Sequence, residues 1–141
     1  MEIDIKDIID KYEIAETDLD ARLEDLRAEV DDESSLWSKY EKLEKAFFTN
    51  HRVMSLFADT LQLVDSKETL TLYELDDVKR AYELLVKHNP DNLQYLQDLI
   101  YYNYVVLDDE SESLALIQKM KDKLVKLNTF VDDLSRQISE A

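Results

Sequence analysis

The chain contains no glycine in 141 residues, where average usage would place roughly ten. That absence restricts the backbone more than any other feature of the sequence. Type I′ and II′ hairpin turns and left-handed helix caps become costly without a residue that lacks Cβ. Antiparallel β-folds, the dinucleotide-binding βαβ unit and the phosphate-cradling P-loop are thereby excluded, because each brings backbone close to itself or to phosphate at glycine. Cysteine is also absent, which removes zinc ribbons, thiol chemistry and disulfide frameworks. Apolar residues make up 45% of the chain, so a core can form. An all-α fold of five to six helices follows, an antiparallel bundle with long coiled-coil-like helices.

The charge is uneven. A formal −16 arises from 33 acids against 17 bases. Residues 1–33 carry 14 acids and 4 bases, residues 34–89 carry 9 and 8, and residues 90–141 carry 10 and 5. Most of the excess therefore lies in the first quarter, and we read 1–33 as an acidic helical arm and 34–141 as the bundle core. Direct nucleic-acid binding is not expected, because phosphate contacts need a basic face. The local basic cluster is Lys119, Lys121, Lys123 and Lys126, a solvated face or a partner for the acidic segment. No apolar run reaches the ~20 residues of a membrane span, and the opening MEIDIKDIID has acids where a secretion signal has bases. Cytoplasm is the expected compartment, with no membrane partner.

Hydrophobic spacing places the helices. Ile3, Ile5, Ile8, Ile9 and Tyr12 mark a short amphipathic segment. Thr17 reads as the N-cap of a second helix with Leu19, Leu23, Leu26 and Val30 at spacings of 4, 3 and 4. After the polar stretch Asp31–Ser35, one long seam runs through Leu36, Tyr40, Leu43, Phe47, Asn50, Met54, Phe57, Leu61 and Val64. The break at Asp65–Glu68 precedes a capping box at Thr71 and Glu74. The following helix runs through Lys87, and Asn89 and Pro90 open the next one. Residues 99–107 are almost wholly apolar or aromatic, which predicts a central helix covered on nearly every side. The last helix carries Ile117, Met120, Leu124, Leu127, Val131, Leu134 and Ile138. This stripe is expected to be buried, so that Leu127→Asp would cost several kcal/mol.

Two local patterns resemble known families. The turn Asn89-Pro90-Asp91-Asn92 between helices of about 17 residues resembles the junction between tetratricopeptide repeats, which implies stacked helical hairpins that bind other proteins. Leu96 and Leu99 fit that pattern. Ile100, Asn103, Glu112 and Lys119 depart from it at positions where the family packs closely, and no 34-residue period is present. The pairs Glu41/Glu44 and Glu74/Asp77 resemble the carboxylate pairs of all-α nucleotide pyrophosphohydrolases of the MazG type, which implies magnesium held against a triphosphate. In a chain with 33 acids, such pairs occur no more often than chance predicts. Lys42, Lys45, Lys79 and Arg80 beside them fit solvated helix faces better. His51 has no acid three residues before it, and His88 sits at a helix end, so neither forms a metal-binding motif.

The reading is therefore a non-catalytic protein-interaction or assembly module, without metal or cofactor, that binds a protein partner or itself through heptad seams. The candidate contact residues are Leu19, Leu23, Leu26 and Val30 on the acidic arm. Tyr95, Tyr101, Tyr102 and Tyr104 join them, being too many aromatics on one helix for a single buried stripe. The alternative is an acidic inhibitor, or nucleic-acid mimic, that occupies a basic partner surface.

Overall fold

The computed structural model describes residues 3–28, 33–63 and 74–141. They form α1 (Ile5–Ala28), α2 (Glu33–Lys42), a 3-10 turn (Lys45–Thr49), α3 (His51–Leu63), α4 (Leu75–His88), α5 (Leu93–Tyr101), a π turn (Tyr102–Val106) and α6 (Glu110–Glu140). The fold is all-α, and its contacts are those of a helical bundle. They group the chain into two compact units, Met1–Tyr73 and Glu74–Ala141.

In the first unit α1 is one helix where two were expected. The Asp4 carboxylate accepts from Asp7 N at 3.2 Å and caps the start. Thr17 then lies inside the helix, where it costs only a few tenths of a kcal/mol against its neighbours. Ion pairs one turn apart, Lys11–Asp7 at 2.8 Å and Arg22–Asp18 at 3.2 Å, line its surface. The second half of α1 contributes Leu19, Leu23 and Leu26 to a core completed by Leu36, Tyr40 and Val53. The Tyr40 and Phe57 rings meet edge-to-face, with centroids 5.1 Å apart.

The long seam from Leu36 is not one helix. It is broken first after Lys42, at Leu43 and Glu44, and again at Asn50, whose backbone N–H donates to Phe47 O at 3.0 Å and whose side-chain oxygen accepts from Arg52 N at 2.8 Å. Asn50 is thus the cap of α3, and the preceding residues tighten into a 3-10 turn. The bend folds α2 and α3 around the same α1 face and brings Phe47 beneath the Arg22 guanidinium, 4.2 Å from its ring centre. Val30, Val64, the 65–68 break and Thr71 lie outside the described residues.

In the second unit α4 packs on α5 and α5 on α6. The capping box of α4 is Glu74 with Asp77: Glu74 N donates to Asp77 Oδ2 at 2.9 Å. Asn89 closes α4 instead of opening α5, since its backbone N–H and its side-chain amide both donate to Leu85 O at 3.0 Å. Asn92 caps α5 by accepting from Tyr95 N at 3.2 Å. Val78, Tyr82, Leu85, Tyr95, Leu96, Leu99 and Tyr102 form the hairpin core. The Tyr102 hydroxyl donates to Leu75 O at 2.9 Å, tying the end of α5 to the start of α4.

The run 99–107 is amphipathic, not covered all round. Tyr102 and Asn103 are buried, whereas Tyr101, Tyr104, Val105 and Val106 are exposed. The chain widens there into the π turn, with Leu107 N donating to Tyr102 O at 3.2 Å. It then reverses through Asp108, at φ 51°. This is the left-handed position that glycine would fill in a chain that had one. Asp109 caps α6 by accepting from Glu112 N at 3.0 Å.

Candidate interaction surfaces

The arithmetic of helix length creates the surfaces. At 1.5 Å per residue, the 31 residues of α6 span roughly 46 Å, about twice the length of the 14-residue α4 that begins the hairpin beneath it. Ser113 is buried, and Leu116, Ile117, Met120 and Lys123 are half-buried where α6 lies on the hairpin. The Lys123 ammonium donates to Pro90 O at 2.7 Å, at the hairpin's turn. From there α6 runs on past the hairpin of its own unit. Leu124, Leu127, Val131, Leu134 and Ile138 are 42–68% exposed, and Phe130 flanks them at 63%. The expectation that this stripe is buried is therefore corrected: its first two positions, Ile117 and Met120, are half-buried against the hairpin, and the remaining five outrun it.

The first unit repeats the arrangement in mirror order. Ile5, Ile9 and Tyr12 continue the Leu19–Leu26 seam toward the N-terminus but are exposed, as are Ile3, Ile8 and Ile14. The covered part of α1 is tied down by charge. Arg52 of α3 pairs with Glu16 at 3.1 Å and with Asp20, and Lys39 of α2 pairs with Asp25 at 2.9 Å. The bases that meet the acids of α1 in these pairs belong to its own unit.

The sequence-predicted contact residues divide accordingly. Leu19, Leu23 and Leu26 lie in the core of the first unit, and Tyr95 and Tyr102 lie in the core of the second, so these five face their own chain. Val30 is outside the described residues. Tyr101 and Tyr104 are exposed at 67% and 60%, and with Val105 they make a small aromatic patch on the outer side of the hairpin. The division has a simple cause. Tyr95 and Tyr102 occupy the same face as Leu99, while Tyr101 and Tyr104 are rotated away from it by the helical period.

Glu41 and Glu44 are exposed, and Glu74 and Asp77 are engaged in the α4 cap. Among the described residues, no group of three or more histidines or carboxylates is placed to hold a metal ion. Burial pushes the Tyr40 phenol above its ordinary value, a consequence of its place in the core. Among the described residues, no helix is long and apolar enough to cross a membrane. No protein-family model, curated protein or solved structure matches the chain.

The α6 overhang had a signal in the sequence that composition and periodicity overlooked. The 31-residue helix is the last element, and no earlier single helix in its unit is long enough to cover it. Comparing helix lengths, not only seam quality, would have located the bare surface.

Proposed function

We propose that the chain is a non-catalytic assembly module of the cytoplasm: two small helical units, each presenting the uncovered seam of one long helix to a protein partner or to another copy. The observation that carries this reading is the α6 stripe. Five seam positions in regular 3-4 spacing, Leu124 to Ile138, stand 42–68% exposed on a helix whose first half uses the same face for packing. Monomeric proteins rarely leave a continuous apolar strip of this kind to water, and such strips mark contact sites. The coiled-coil spacing supplies the mode of recognition, an amphipathic helix received by another helix. The engagement of Glu74 and Asp77 in a helix cap and the absence of cysteine support the non-catalytic part of the reading.

The test compares the wild-type chain with the double variant Leu127→Glu and Leu134→Glu, expressed in the native cells and cross-linked before lysis. Circular dichroism and thermal melting of the purified double variant at low protein concentration should match the wild type, while the cross-linked complexes disappear. Complexes of unchanged size and abundance would overturn the proposal. So would magnesium-dependent hydrolysis of a nucleoside triphosphate that is lost in Glu41→Gln with Glu44→Gln.

A further inference from the structure

We infer that the α6 overhang, residues 124–141, docks on the same segment of a second copy, antiparallel, to form a homodimer; this rests on the assembly reading above. Three observations lead there. The first is steric. Up to Lys123 the seam face of α6 is occupied by its own hairpin, whose turn carries the Pro90 carbonyl bound by Lys123. A parallel partner would have to place its Leu116–Met120 segment, with its hairpin attached, on that occupied face. An antiparallel partner meets only the free half. The register that fills this half sets Leu127 opposite Ile138 of the second copy and Val131 opposite Leu134.

The second observation is the shape of the surface. Val131, Leu134, Ser135 and Ile138, with Ser139, line a shallow groove on α6. The positions i, i+3, i+4 and i+7 are the four that make a hole for a coiled-coil knob. In the register above, the side chain at the level of this hole is Val131 of the second copy. The two-fold axis then fills both holes with the same residue, as an isologous interface requires.

The third is charge. In a chain of net charge −16, the overhang holds Lys126, Arg136, Asp132, Asp133 and Glu140, two bases against three acids. The seam's immediate flanks are Asn128 and Ser135 on one side and Phe130 and Gln137 on the other, all uncharged, so two copies meet without like charges at the contact. The corresponding overhang of α1 carries Asp4, Asp7, Asp10 and Glu13 against Lys6 and Lys11, and Asp7 and Lys11 are already paired with each other. The pairing of two α6 overhangs, Phe130 included, buries on the order of 1,000 Å² in total, the lower bound for a specific interface.

The experiment uses the full chain, which has no cysteine of its own. Sedimentation equilibrium should give a concentration-dependent dimer, weakened at least tenfold by Val131→Asp and unchanged by Leu114→Asp, an exposed apolar residue of α6 outside the overhang. Leu127→Cys and Ile138→Cys chains, mixed under oxidising conditions, should form only the unlike disulfide. Like residues in this register lie about 16 Å apart along the helix axis, beyond the reach of a disulfide. A chain that stays monomeric at millimolar concentration overturns the homodimer, as does a Val131→Asp dimer of wild-type strength. Bridging of like residues overturns the antiparallel arrangement. A monomer whose cellular complexes still vanish in the double glutamate variant would remove the homodimer alone and leave the assembly reading intact.

Discussion

The two long helices carry seams of the same kind, yet they treat their surroundings in opposite ways. In α1 the seam is covered in its second half, where Leu19, Leu23 and Leu26 meet α2 and α3, and bare in its first. In α6 it is half-buried at its start, Ile117 and Met120, and bare from Leu124 to Ile138. Acids dominate the surroundings of the α1 seam, and Arg52 and Lys39 of the same unit neutralise some of them. The α6 overhang is nearly neutral and its flanks are uncharged. A heptad pattern therefore states that a face wants covering; the lengths and bends of the neighbouring helices decide where it is covered from within the chain.

The largest expected effect comes from removing residues 1–33. If the acidic segment were a separable arm, the remaining chain would keep its helicity. The packing of Leu19, Leu23 and Leu26 against Leu36, Tyr40 and Val53 leads to the opposite result. The truncated chain should lose the helical signal of α2 and α3 in addition to that of α1, read by far-ultraviolet circular dichroism and by hydrogen exchange of residues 51–63. Retained protection there would show a separable arm instead.

A sharper version compares one residue from each seam. Leu23 is 1% exposed and Leu127 is 49% exposed. Leu23→Asp should destabilise the first unit by about 4 kcal/mol, since a buried carboxylate without a partner is costly and leaves a cavity. Leu127→Asp should change stability by less than about 1 kcal/mol when measured at low protein concentration. Equal losses in urea unfolding would mean that the α6 stripe is buried after all and that the contrast between the helices is false.

Much of this was legible in the residues. The absence of glycine and the 3-4 spacings led to an all-α chain and to most of the side chains that now form the two cores. Asn50 was not readable as a helix break, because a single asparagine fits a seam position and a cap equally well, and only tertiary contact chooses. The same holds for Asn89, which closes α4 through Leu85 O although its sequence context suits the opening of α5. The burial of the candidate contact residues was only partly legible. Periodicity identifies apolar side chains, but Tyr102 and Tyr104 differ only by a rotation about the helix, and the covered side is set by α4.

The Tyr40 phenol gives the first unit a pH dependence absent from the bare seams. Burial raises its pKa, so the folded state favours the neutral form. Stability from this group is complete below the unfolded value of about 10 and is lost as pH rises beyond it, because the unfolded chain releases the proton first. Thermal melting between pH 8 and 11 should show the first unit weakening at the alkaline end. Tyr40→Phe should flatten that slope while leaving the melting of α4–α6 unchanged. A slope that persists in the variant would assign the alkaline loss to other tyrosines.

The smallest effect concerns how each unit turns a corner without glycine. The first unit bends at Asn50, with φ −85°, a conformation open to any residue, and its side chain serves as a cap. The second bends at Asp108, with φ 51°, where Cβ crowds the following carbonyl and the penalty for an L-residue is about 1 kcal/mol. Glycine should therefore act with opposite sign at the two corners. Asp108→Gly relieves the crowding, and after the extra backbone entropy of glycine is subtracted it should stabilise the second unit by roughly 0.5 kcal/mol. Asn50→Gly relieves nothing, removes the acceptor for Arg52 N and should cost a few tenths of a kcal/mol. Melting midpoints should then move a few degrees in opposite directions, given that 1 kcal/mol shifts a unit of this size by about 4–8 °C. A loss of stability in both variants would show that the Asp108 carboxylate contributes more at its corner than its backbone strain takes away.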